Sequence, residues 1–107
     1  MYIAYLDGPG SCTGEAELNY TIVQGRTTKK EFQVSVRGGP PGAAWDVAID
    51  GVVVGRITLG DGGGMEGEWS TKHGSFPAHF PGGAGAGSVV RLGDDLAGKL
   101  ESRTRQQ

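Results

Sequence analysis

The stretch AWDVAIDGVVVGRITL, residues 44–59, decides the fold. Trp45, Val47 and Ile49 alternate with Ala44, Asp46 and Ala48, and Val52 and Val54 resume the alternation directly after Asp50-Gly51. Side chains two apart share a strand face, so both segments read as strands with one wet side. Asp-Gly between two such strands is a preferred pair for a two-residue type I′ turn, because both central residues need positive φ. In that register Ile49 faces Val52 and Val47 faces Val54. Continued unchanged, the alternation would bury Arg56 and expel Ile57 and Leu59. One extra residue restores it, so a bulge or kink is expected at Gly55, where glycine tolerates an unusual backbone. Asp50 then reads as a solvated hairpin tip. A catalytic acid would need a close partner and partial burial.

The same period recurs on both sides. In EAELNYTIV (15–23), Ala16, Leu18, Tyr20 and Ile22 oppose Glu15, Glu17, Asn19 and Thr21. In EFQVSVR (31–37), Phe32, Val34 and Val36 oppose Glu31, Gln33, Ser35 and Arg37. QGRT between them predicts a hairpin loop of about three to five residues containing Gly25. GGPPGA (38–43) breaks regular structure, since Pro40 and Pro41 cannot donate to a ladder, and reads as a crossover loop. GDGGG (60–64) is a flexible turn, and MEGEWS (65–70) a further strand. SVVRL and LAGKLES form a closing hairpin around GDD (93–95). The first hairpin, YLDGPGSCTGEAEL, echoes this last one, which suggests that the two pair or pack alike. No segment longer than a turn has helical periodicity. About seven to eight short antiparallel strands predict an all-β fold, a single β-sandwich or small barrel. Residues 1–102 are expected to form one domain, with 103–107 a frayed tail.

Composition narrows the function classes. The 107 residues include 21 glycines, spread between apolar runs as in a turn-rich folded domain. Ten basic and twelve acidic residues are intermixed, for a net charge of −2. Neither nucleic acid nor an anionic membrane surface is expected as a partner, because both reward a basic excess on one face. The one basic cluster, Arg26 to Lys30, reads as a solvated strand end. No stretch approaches the ~20 apolar residues needed to span a bilayer, and the N-terminus lacks the pattern of a signal peptide. The chain reads as soluble, with its compartment open. The single cysteine, Cys12, excludes an intrachain disulfide and zinc sites built on paired cysteines.

GEAELNY, EFQVSVRGGPPGAAWDVAIDGVVVG, the glycine-rich turn with Met65 to Trp69, FPAHFPGGAGAGSVVRLGD and LAGKL follow one another in this order. The pattern resembles a small β-sandwich module that recurs in planctomycete-type bacterial proteins, and it covers nearly the whole chain. The resemblance rests on strand and turn positions. It implies a building block of larger, often extracellular or envelope-associated proteins, with a binding or structural role and no catalytic residue to carry over.

Candidate sites are few. KHGSFPAHFPG places His73 and His79 around Phe76 and Phe80 in the longest irregular segment, and long loops often carry function. These four residues suit a sugar ring, a peptide or an ion. The bland reading, and the preferred one, has Phe76 and Phe80 plugging an open end of the fold, because large apolar side chains usually bury. Trp45 and Trp69 sit on core faces; a sugar-stacking platform at Trp69 is the less favoured alternative. DGGGMEGE lacks the dense carboxylate pattern of a calcium loop and the phosphate-cradling Lys-Ser/Thr. No catalytic, metal or cofactor-binding residue is assigned, and no cofactor is expected. A hydrolase would require carboxylates such as Glu66 and Glu68 to converge with Glu15 or Glu17. The expectation is a non-enzymatic module with a structural or protein-interaction role, meeting a protein partner or another copy through edge strands. The alternative is a carbohydrate- or ion-binding module working through residues 71–81.

Overall fold

Nine strands build one antiparallel sheet. In the computed structural model the described residues are 1–8, 10, 12–71, 76 and 80–102. The strands are β1 (Tyr2–Asp7), β2 (Thr13–Val23), β3 (Arg26–Arg37), β4 (Ala44–Ile49), β5 (Val52–Thr58), β6 (Met65–Ser70), β7 (Val89–Leu92), β8 (Leu96–Lys99) and β9 (Glu101–Ser102). Their order in the sheet is β5-β4-β7-β8-β1-β2-β3-β6, with β9 paired to β1. The sheet curls until it nearly closes into a barrel, bringing its two terminal strands, β5 and β6, to face one another. The first and last hairpins are neighbours, joined where Asp7 pairs with Ala97.

The inward side of every long strand is apolar. Ala4 and Leu6, Ala16 and Leu18, Phe32 and Val34, Val47 and Ile49, Val90 and Leu92 are at most 1% exposed and belong to one core. Each fully buried leucine, valine or phenylalanine contributes about 1.5–3 kcal/mol relative to its exposed state. The 38–43 loop crosses from β3, the neighbour of β6, to β4, the neighbour of β5. It is fastened by Leu59 N–H donating to the Ala43 carbonyl at 2.8 Å and Gly39 N–H donating to the Gly63 carbonyl at 2.9 Å. The 60–64 turn is itself hydrogen-bonded: Gly60 N–H reaches the Gly64 carbonyl at 3.0 Å.

The hairpin at Asp50-Gly51 has φ of 50° and 84°, both positive as a type I′ turn requires. Ile49 pairs with Val52 as expected. Val47 does not pair with Val54, however; it pairs with Gly55, while Ala48 pairs with Val53. Val54 is therefore the extra residue of a bulge at Val54-Gly55. The parity reset follows: Val54, Ile57 and Leu59 are buried and Arg56 is exposed. Val52 stands at the barrel rim and stays 37% exposed.

The loop between β2 and β3 is shorter than expected. Gln24 and Gly25, with φ of 52° and 77°, make a two-residue turn, and Arg26 and Thr27 already pair with Val23 and Ile22. The tight turn extends the hairpin beyond its neighbours. Pairing of β2 with β1 ends at Leu18, and pairing of β3 with β6 ends at Glu31. The remainder, 19–30, is a two-stranded arm bulged between Thr21 and Ile22, anchored at its base where Tyr20 packs on the core and Lys30 N–H donates to Thr71 Oγ1 at 3.0 Å. The molecule measures 44 × 29 × 26 Å along its principal axes.

Candidate functional site

The loop after β6 brings two of the four expected site residues to one end of the barrel. Phe76 and Phe80 are partly buried against the core, with ring centroids 4.6 Å apart. Phe80 meets Phe32 edge-on at 5.5 Å, and Phe32 stacks on Trp69 at 5.7 Å. The Lys30 ammonium lies 5.8 Å from the centroid of Phe76, within cation–π reach. The two phenylalanines thus continue an aromatic column out of the core, the arrangement of a plug. Trp69 is held between Phe32 and the backbone of Gly55. His73 and His79 lie outside the described residues. Among the described residues no group of three His, Cys, Asp or Glu side chains is placed to hold a metal ion.

The carboxylates that sequence alone could not place do converge. On the outer face, Glu15 pairs with Ser35 and Ser35 with Glu66; one row along, Glu17 pairs with Gln33 and Gln33 with Glu68. Strand spacing separates the two glutamates of a row by about 10 Å, and the rows by about 7 Å. The short floor at Ser35 and Gly67 leaves a groove of about 450 Å³ between them, with Arg37 at one end. Gln33 Nε2 donates to Glu68 at 3.2 Å, and Asn19 Nδ2 to Glu17 at 2.9 Å. Register and alternation put all six glutamates (Glu15, Glu17, Glu31, Glu66, Glu68, Glu101) on this outer face of β9, β1, β2, β3 and β6. General acid–base work needs a carboxyl withdrawn from water beside a partner, whereas Glu15, Glu66 and Glu68 are exposed. What the arrangement offers is a negative field over an open groove, attractive to cationic groups.

Three further residues have defined roles. Asp50 is more than a solvated tip, for its Oδ1 accepts from Val89 N–H at 2.9 Å while its own N–H donates to the Val89 carbonyl at 2.9 Å. Tyr20 donates its hydroxyl to the Ala84 carbonyl at 3.0 Å, and burial, then neighbouring Tyr2, pushes its phenol upward. Cys12 is 5% exposed, and burial, then the Asp95 carboxylate, pushes its thiol upward. A raised thiol is the opposite of what activates a nucleophilic cysteine.

The arm is the surface that the sequence reading missed. QGRT reads as a loop that takes in Arg26 and Thr27, yet the tight Gln24-Gly25 turn makes both of them strand. At the tip Ile22 is 64% and Val23 52% exposed, with Arg26 beside them and Lys29 held by Glu31 at 3.1 Å. The signal was present in the β-branched Thr27-Thr28 pair, which favours strand.

Comparison with family models finds none that matches the chain, and no curated protein or solved structure compared with it matches either.

Proposed function

We propose that this chain is a non-enzymatic β-barrel module with a structural or protein-interaction role, acting through the β2–β3 arm. The observation that carries this reading is the arm itself. The hairpin packs on the barrel core only as far as Tyr20 and its pair Lys30, and residues 21–27 beyond them are all exposed. Adjacent apolar side chains at the end of a projecting ribbon mark a surface that gains by being covered. The resemblance to modules of larger bacterial proteins agrees with such a role. The alternative, ligand capture by the 71–81 loop, is less well supported, because Phe76 and Phe80 pack on each other and on Phe32.

Cross-linking mass spectrometry at natural expression level tests the proposal, using the amines of Lys29 and Lys30 as reporters on the arm. Wild type is expected to give cross-links from these lysines to another chain, and I22S/V23S, of equal melting temperature, to lose them. Cross-links that survive the substitution, or none from either protein, overturn the reading. Glycan-array binding, or a melting shift with Ca²⁺ or Zn²⁺, favours the alternative.

A further inference from the structure

The outer face of the β2–β3 ribbon changes sign along its length. At the barrel end stand Glu15 and Glu17, flanked by Glu66 and Glu68 of β6. At the free end stand Arg26, paired with Val23, and Lys29, paired with Thr21. Between them lies the row of Asn19 and Glu31. Val23 faces the same side as Arg26, so the basic end is also the apolar end.

We infer that two copies of this chain associate as a two-fold dimer through their arms. The outer faces meet, and the tip of each arm lies over the acidic groove of the other copy. This rests on the reading of the arm as a contact surface, and names its partner. A second copy is favoured because the ribbon is complementary to itself. Four residues separate Asn19 from Glu15 in one direction and from Val23 in the other, about 13 Å each way. A two-fold axis through the Asn19–Glu31 row therefore sets the row of Val23 and Arg26 over that of Glu15 and Glu66. It also sets the row of Thr21 and Lys29 over that of Glu17 and Glu68. Both contacts form twice by symmetry, and the assembly closes at two copies. Lys29, already 3.1 Å from Glu31 of its own chain, stands in the middle of this array. The bulge between Thr21 and Ile22 adds local twist, which lets one ribbon wrap the other.

Sedimentation velocity over a wide concentration range tests the pairing. Wild type is expected to dimerise at about 50 mM salt, with its Kd weakened at least ~10-fold at about 500 mM as the charges are screened. Variants R26E and E15K/E66K are each expected to be monomeric, since each sets like charges against each other. Mixed in equal amounts they should form a heterodimer, because the reversed tip then meets the reversed groove in one contact and the unchanged tip meets the unchanged groove in the other. Should either reversal fail to fold, E15Q/E66Q replaces it, with an expected Kd at least ~10-fold weaker than wild type.

A wild type that is monomeric throughout overturns the inference. So does a dimer indifferent to salt, or reversed variants that fold and stay apart when mixed. A monomer whose Lys29 and Lys30 still cross-link to a different protein ends the self-association but leaves the arm as a contact surface. Cross-links that survive I22S/V23S, or none even from the wild type, are what end the broader reading.

Discussion

The indole of Trp69, on one terminal strand of the sheet, fills the space beside Gly55 on the other. A Cβ built on Gly55 would lie 2.5 Å from Trp69 Cζ2 and 2.8 Å from Cε2. Gly55 is not among the residues with positive φ, so the glycine is required by this approach and not by its backbone angles. The contact closes the seam between β5 and β6, and the same ring continues into the core by stacking on Phe32.

Gly55→Ala is accordingly expected to destabilise the protein by about 1–3 kcal/mol, the usual cost of overpacking. Urea unfolding of G55A, W69L and the double variant measures it. The double variant should be more stable than the sum of the single effects predicts, because removing the indole removes the clash. Additive effects would show that the seam contact is not the reason for the glycine.

Asp50 combines a left-handed backbone with an acceptor for Val89 N–H. Asp50→Ala loses the acceptor and places alanine at positive φ, for an expected cost of about 1–3 kcal/mol. Asp50→Asn keeps an acceptor and a residue suited to that backbone, and should cost less than half as much. Equal midpoints for the two variants in urea would remove the side-chain hydrogen bond from the account.

The folded chain holds the Cys12 proton to higher pH than the unfolded chain, for which the thiol pKa is about 8.5. Above that value unfolding releases a proton, so stability declines as pH rises through the folded thiol's pKa; below it, this contribution is fully present. Cys12→Ala should flatten that part of the alkaline decline, leaving the part due to Tyr20. Urea midpoints of both proteins between pH 7 and 10, in steps, check it; a difference that does not change with pH refutes it. Alkylation of native Cys12 should also be much slower than that of free cysteine.

Phe80 touches the buried ring of Phe32, whereas Phe76 touches Phe80 and the Lys30 ammonium. Phe80→Ala is expected to cost about 2–3 kcal/mol and Phe76→Ala about 1 kcal/mol, below the cost of a fully buried phenylalanine because both are partly exposed. Melting curves rank them. The reverse order would mean that Phe80 is not the inner member of the plug.

Much of the fold was legible because strand alternation and turn chemistry are local. The period-two runs in 15–23 and 31–37, the Asp50-Gly51 turn and the parity break near Gly55 each follow from residues within a few positions. The hairpin arm was less legible: a Gln-Gly turn is a weaker signal than Asp-Gly, and Arg26 to Lys30 carry no apolar alternation to reveal a strand. That Phe76 and Phe80 pack inward was legible from residue type and loop context, because large aromatic side chains usually bury. The glutamates were visible as wet-face residues, but their meeting was not.

By itself the sequence determined which residues face in and which face out, and where the chain turns, because both are set by backbone stereochemistry and solvent over a few residues. Only the tertiary structure decided that Glu15 and Glu17 share a groove with Glu66 and Glu68, some 50 residues away. It alone brought Trp69 to Gly55. Those relationships depend on the order of strands in the sheet and on the curl that brings its ends together, and non-local register is fixed by packing the whole core at once.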